Sequence, residues 1–197
     1  ITLNSPFSPN ANNAYDVKKK SPYVLMGKRE FLSCQNEWYY DKDTKKLIMW
    51  SNNTPASMNV EVKKRTETVD LSGVENVTLD GLTLIGGRIT SNQNTAYCTL
   101  NNITARYAAH SFKRNVAGHQ FKGHHNLLKN SDLSYASFTL LQDKGSDNRF
   151  INNKLTNMNY NSNFIGSINL AGNRAVFSHN TVSDGGRELL TLHNGRS

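Results

Sequence analysis

Two stretches of this chain concentrate side chains that can move protons or hold anions. "HSFKRNVAGHQFKGHH" places His110, His119, His124 and His125 within sixteen residues, with Tyr107 just ahead of them and Lys122 among them. "SDGGRELLTLH" sets Arg187, Glu188 and His193 behind a Gly-Gly turn, and "FTLLQDKG" holds Asp143 beside Lys144. Lys, Arg, His and Tyr in this mixture suit proton abstraction next to a carboxylate. A cation neutralises the acid, a base removes the proton, and an acid protonates the leaving oxygen. Hydrolysis instead needs two carboxylates facing each other across the scissile bond, and Asp143, Asp184, Glu188 and Asp132 form a thinner set for it. The histidine spacing matches no metal-ligand pattern and no Cys or paired acid completes one, so no metal site is expected from these residues. For His124 and His125, which fall where the chain turns, the plainer reading is that of surface turn residues.

The elements that carry these residues are strands. Helical periodicity is almost absent, while short alternating segments bounded by Asn, Gly, Ser and Asp recur throughout. Five segments line up: "VENVTLDGLTL", "AYCTLNNITAR", "NLLKNSDLSYA", "NRFINNKLTNM" and "AVFSHNTVSDG". With Gly81, Asn102, Ser131, Asn153 and Asn180 as equivalent points, the intervals are 21, 29, 22 and 27 residues. Ahead of these segments stand further short strands in "TVDLSG", "GRITS", "GHQFKG", "FTLLQD" and "GSINLAG", and "LLTLHN" follows the last. Each repeat is thus expected to supply a strand, a tight polar turn, a second strand and a looser loop. Such a repeat cannot bury its apolar face alone, but stacked coils bury it jointly, about 4.8 Å apart. The recurring Asn fits the turns, because it tolerates the left-handed conformation and its amide can bond the matching group one coil on.

The N-terminal third reads differently. "EWYYDKDTKKLIMW" predicts a hairpin over 37–50, with an aromatic strand, a polar turn from Asp41 to Lys46, and an apolar strand from Leu47 to Trp50. The expected division is a cap region over 1–66 and coils over 67–197.

The repeat phrases "VDLSGVENVTLDGLTL", "GSINLAGNRAVFSHNTV" and "NRFINNKLTNM" resemble the right-handed parallel β-helix of the pectate-lyase-like superfamily. The hairpin and first coil resemble the N-terminal cap of large bacterial β-helix proteins tied to polysaccharide processing. The likeness covers residues 22 to 197. It implies an all-β solenoid of about five to six coils and an extracellular or periplasmic setting. It also implies a shallow groove for an extended polysaccharide, cleaved by a lyase or a hydrolase. Trp38, Tyr39 and Trp50 would then cap the open end of the helix, or offer a sugar-stacking platform. Ca²⁺ stays open as a cofactor, since some members hold it with carboxylate and Asn oxygens, although no EF-hand-like spacing supports it here. Gly-Arg turns precede groove strands in the resembled proteins, which makes Arg187 the first choice for a substrate contact.

In such a helix alternate side chains point in and out, and outward positions stack from coil to coil. Ile168 and Leu170 inward place Asn169 outward, Leu190 and Leu192 inward place Thr191 and His193 outward, and Phe121 inward places Gln120 and Lys122 outward. Asp143 and Lys144 close the strand in "FTLLQD", where a one-residue slip would exchange the faces. The expected catalytic set is therefore Arg187, His193, Lys122, Lys144 and Asp143. The expected substrate contacts are Asn169, Gln120, His110, Tyr107 and Glu188.

The charge points the same way. A net charge of +8 on 197 residues suits a polyanion. The short clusters "DVKKK", "DTKK" and "EVKKR" lie in turns without a basic stripe or recognition helix, which argues against nucleic acid. No run approaches the roughly 20 apolar residues of a membrane span, and "ITLNSPFSPN" does not read as a signal peptide. Cys34 and Cys98 are too few for a disulfide framework; one bridge between them stays open, and two separate half-buried thiols are the plainer reading. Asn52, Asn76 and Asn102 each begin an N-x-[ST] sequence, and at Asn76 and Asn102 a turn role suffices. No segment near the end reads as a cap, so the coils are expected to belong to a longer solenoid. The resulting expectation is a protein that binds, and cleaves, an extended acidic polysaccharide, with β-elimination favoured. The alternative is a non-catalytic adhesin, fibre or carbohydrate-binding scaffold.

Overall fold

The alternating segments become short parallel strands that stack from coil to coil. A computed structural model describes residues 25, 27–108, 110, 116–161 and 166–192. The chain divides into two compact units, Ile1–Val60 and Glu61–Ser197. The first holds the hairpin, in which Trp38–Asp41 pairs antiparallel with Lys46–Met49. Asp41 Oδ1 accepts from the backbone N–H groups of Asp43 and Thr44 and so shapes its turn. Cys34, in this unit, is exposed; Cys98 is buried in the second, and both are free thiols.

The second unit is a right-handed parallel β-helix whose strands form three columns. The first column stacks Glu67–Asp70, Arg88–Thr90, His119–Phe121, Leu141–Asp143, Ile168–Leu170 and Leu190–Leu192. The second stacks Thr78–Asp80, Thr99–Asn101, Leu127–Lys129, Arg149–Ile151 and Val176–Ser178. The third stacks Thr83–Ile85, Thr104–Arg106, Asp132–Ala136, Lys154–Met158 and Thr181–Val182. Successive coils lie in register, so like side chains meet. Leu79, Leu100, Leu128, Phe150 and Phe177 follow one another inside the second column. Leu84, Ala105, Leu133, Leu155 and Val182 do so inside the third. Each fully buried Leu or Phe of these rows stabilises the stack by about 2 kcal/mol.

Three kinds of turn join the columns, and each kind places one residue per coil in the left-handed region. Asn76, Tyr97, His125, Asp147 and Arg174 do so between the first and second columns, with φ of 51° to 57°. Gly81, Asn102, Asn130, Asn152 and His179 do so between the second and third. Gly86, Tyr107, Tyr135, Asn157 and Asp184 end the third column. The residue after each of the first two kinds turns inward, and there the recurring Asn acts. Asn148 Oδ1 accepts from Asn126 N, and Asn126 Oδ1 accepts from Cys98 N. Asn180 Oδ1 accepts from Asn153 N, and Asn153 Oδ1 accepts from Ser131 N. These buried amides satisfy turn N–H groups that the strand ladders leave over.

Two expectations change. Each coil carries three strands rather than two, because every segment bends once in its middle without breaking coil-to-coil pairing. The equivalent points also shift. Gly81 and Asn102 belong with Asn130, Asn152 and His179, whereas Ser131, Asn153 and Asn180 occupy the inward position one residue later. In "INNKL" both positions are Asn, so a polar pattern alone cannot separate the outward turn residue from its inward neighbour.

One polar residue enters an apolar row. His119 follows Ile89 and precedes Leu141 and Ile168 inside the first column, fully buried, and its Nδ1 accepts from Ile89 N at 3.1 Å. Burial lowers its pKa to about 4, so it is neutral in the folded protein near pH 7. Above the ordinary value of 6.5 the folded and unfolded states are both neutral. Below it only the unfolded state gains the proton, so stability falls as pH drops from 6.5 towards about 4, by about 3 kcal/mol. His119→Asn, which keeps an acceptor near the Nδ1 position, is expected to lose that part of the pH dependence in urea unfolding. Separately, Asn153→Ala is expected to cost about 3 kcal/mol by orphaning buried groups. Asn152→Gly on the outward side should change stability by less than about 1 kcal/mol in the same measurement.

Candidate functional site

The register of the first column decides which expected residues share a face. Thr90, Gln120, Gln142, Asn169 and Thr191 follow one another on its outward phase, coil upon coil. Their inward neighbours Ile89, Leu141 and Ile168 are fully buried and Phe121 nearly so. No side-chain hydrogen bond to a described residue engages the amides of Gln120, Gln142 or Asn169. Asn169 is only 5% exposed, and its Oδ1 and the Thr191 Oγ1 are shielded atoms without a hydrogen-bond partner. The stripe is therefore a row of hydrogen-bonding groups, about 4.8 Å apart, whose capacity the fold leaves unused.

Lys122 and Lys144 lie at the edge where these strands end. Lys144 N bonds Phe121 O and Ala171 N bonds Asp143 O, so Lys122, Lys144 and Ala171 occupy one position in successive coils. Both lysines are exposed. His193, also expected in the site, lies outside the described residues.

Asp143 does not join them. Pairing of Leu141 with His119 and Ile168 turns Gln142 out and Asp143 in, where Asp143 is fully buried. Its Oδ1 accepts from Asn148 Nδ2 at 2.8 Å and Gly145 N at 3.2 Å, which ties it to the amide ladder of the first turn. Gly172 leaves the room it needs, since a Cβ there would stand 2.2 Å from Asp143 Oδ2. Burial raises the pKa of this carboxyl, against the lowering effect of the two bonds. Asp143 is a buried carboxyl of the interior and does not face the outward row.

Tyr107 and His110 meet elsewhere, at the junction that leads from the third column back to the first. Tyr107 stacks on Tyr135 one coil on, with ring centroids 5.0 Å apart and planes 24° from parallel. Both tyrosines take φ near 60°, at turn positions that Gly86, Asn157 and Asp184 fill in other coils. A bulky aromatic residue is uncommon there, and the stacking offsets part of the cost. His110 packs edge-on to Tyr107 at 5.4 Å and lies 5.6 Å from the Tyr160 ring, and its Nε2 is hydrogen-bonded to the Tyr160 hydroxyl. Burial and the charge of Lys63 hold the His110 pKa below its usual value, and burial raises that of Tyr160. Lys63 itself lines a shallow depression of about 190 Å³ with Lys64, Arg65, Gly86 and Gly87. Tyr135, Tyr160 and Lys63 were not among the expected site residues. The signal for Tyr135 was present in the sequence, as an aromatic residue in a slot that other coils fill with Gly, Asn or Asp.

Arg187 and Glu188 lie at this same junction, ahead of Leu190–Leu192, and not at the edge that carries the lysines. Gly186 donates to Met158 O and packs so closely on Asn159 that a Cβ would stand 2.3 Å from Asn159 O. Arg187 is half-buried, with Nε 3.7 Å from Glu188 Oε1. Of the expected catalytic set, Arg187 thus lies at one edge of the first column and Lys122 and Lys144 at the other. Of the other carboxylates, Asp132 faces Lys154 at 3.8 Å on the third column, and Asp184 takes a third-turn position. His125 takes a first-turn position beside Tyr97, as a surface turn residue would. Among the described residues no three His, Cys, Asp or Glu side chains converge as a metal site would need.

In comparisons with known proteins, no family model, no curated protein and no solved structure matches this chain.

Because Asp143 is charged only at a cost inside the fold, the penalty grows as pH rises above its unfolded value of 3.8. Asp143→Asn is expected to be at least as stable as the parent at pH 7, with a flatter stability profile between pH 4 and 7. Thermal unfolding across that range checks it, and a large loss of stability at pH 7 would contradict the structural role.

Proposed function

We propose that this protein is a carbohydrate-active β-helix that binds an extended, acidic polysaccharide along the first column and cleaves it, by β-elimination rather than hydrolysis. The observation that carries the reading is the in-register row Thr90, Gln120, Gln142, Asn169 and Thr191, bordered by Lys122 and Lys144. An extended polyhydroxylated chain offers donors and acceptors at a regular repeat, and the half-buried amides of Gln120 and Gln142 in successive coils can meet them. Two exposed lysines one coil apart repel each other unless an anion lies between or across them, so the polymer is one that carries carboxylates or sulfates. Of the four carboxylates considered for hydrolysis, Asp143 is buried and Asp132 faces a lysine on another column, which favours elimination. The pectate-lyase-like kinship and an extracellular or periplasmic setting belong to the same reading. It needs no nucleic acid and no membrane. Ca²⁺ could serve it only through carboxylate and amide oxygens of the groove.

A second reading, a non-catalytic carbohydrate-binding scaffold, is favoured by one feature. Among the described residues the row itself carries hydrogen-bonding groups and cations but no base.

Affinity electrophoresis of the full chain in gels cast with polymannuronate, polygalacturonate, a sulfated galactan or neutral dextran separates the outcomes. Retardation by the acidic polymers, weakened by salt, is expected, and the Lys122→Ala/Lys144→Ala double variant should bind about tenfold more weakly. Retardation by dextran alone would overturn the acidic class, and retardation by none would overturn the polysaccharide reading.

A further inference from the structure

The junction cluster has more in it than packing requires. His110 and Tyr160 are both exposed, and their hydrogen bond spans two loops 50 residues apart in sequence. Tyr107 and Tyr135 stack beside them in a backbone conformation that disfavours tyrosine. Lys63 lies close enough for its charge to bear on His110, and with Lys64 and Arg65 it lines the neighbouring depression. A base, an acid, an aromatic wall and a cationic pocket therefore occupy one edge of the first column, opposite the edge that carries Lys122 and Lys144.

We propose that His110 and Tyr160 form the proton-transfer pair of a syn β-elimination on a uronate, with Lys63 and its basic neighbours receiving the carboxylate. The proposal deepens the polysaccharide reading and rests on it. The step balances within the pair. With the sugar in place the Tyr160 hydroxyl turns from His110 Nε2 to the C4 oxygen, which frees the Nε2 lone pair to take the C5 proton; the released electrons form the C4–C5 double bond, and the C4–O bond breaks. Tyr160 gives its phenolic proton to the leaving oxygen. The proton on His110 then passes to the tyrosinate through their own hydrogen bond, which restores both groups without any further reactant.

The lowered pKa of His110 keeps it an acceptor near neutral pH, and the raised pKa of Tyr160 keeps it a donor there. Among the described residues, Lys63, Tyr107 and Tyr160 face His110, and His110, Ser137 and Tyr107 face Tyr160.

The substrate class follows from the pair's geometry. Two groups in direct hydrogen-bond contact cannot stand on opposite faces of a sugar ring, so the C5 hydrogen and the C4 oxygen must lie on the same face. D-Glucuronate and D-mannuronate satisfy this, whereas in D-galacturonate and L-guluronate they lie on opposite faces.

The test incubates the full chain with polymannuronate, polyglucuronate, polygalacturonate and polyguluronate and follows the ultraviolet absorbance of the unsaturated product. His110→Ala and Tyr160→Phe run alongside, with binding measured by affinity electrophoresis and folding by circular dichroism. Product from the first two polymers only is expected, falling about a hundredfold or more in each variant while binding and folding persist. Product from the galacturonate or guluronate polymers, or undiminished product in both variants, would overturn the assignment. Binding of the first two polymers without product would overturn it as well while leaving the polysaccharide reading in place; absence of binding to all four would remove both.

Discussion

Everything in the second unit depends on one constraint: each coil must present its peptide groups to the next at the parallel-strand spacing. Because the pairing is in register, a side chain on one coil has its counterpart directly above it, and like environments recur at each level. Apolar residues build continuous rows, and a polar residue at an inward turn must find its partner in the adjacent coil. The amide chain from Ser131 through Asn153 to Asn180 shows how this works. Asn153 satisfies the turn N–H of Ser131 in the coil before it, while its own N–H is satisfied by Asn180 in the coil after.

The same constraint explains the left-handed turn residues. To bend between columns without losing pairing, each coil places one residue at positive φ, and Gly and Asn take that conformation most cheaply. Where Tyr97, Tyr107 and Tyr135 stand instead, ring contacts with a neighbouring coil compensate: Tyr97 lies against His125, and Tyr107 against Tyr135. In-register pairing sets groups on successive coils at the strand spacing.

Phase along the strand decides whether a polar residue of the first column meets the interior or the surface. His119 and Asp143 are titratable residues of the first column, yet both point inward, one in an apolar row and one at the end of an amide ladder. Gln120 and Gln142, their immediate neighbours, point out. A one-residue difference along the strand is the difference between a group that shapes the pH dependence of folding and one that can meet a ligand.

Much of this was legible in the chain itself. The strands of the first column, the hairpin, the solenoid and the outward phase of Gln120 and Asn169 all follow from alternation and turn residues, which are local properties. Three things were not. Asn130–Ser131, Asn152–Asn153 and His179–Asn180 are polar in both turn positions, so polarity alone places the equivalent point one residue off in these three of the five segments. The phase of "FTLLQD" could not be chosen, because Leu140 and Leu141 are both apolar, and only pairing with His119 and Ile168 turned Asp143 inward. The meeting of His110 with Tyr160, and of both with Tyr107, Tyr135 and Lys63, joins loops from different coils. Sequence order carries the period of the coil, since hydrophobic burial and turn conformation are set residue by residue. Which loops touch is set by how the coils stack, and that is decided only when the chain closes on itself.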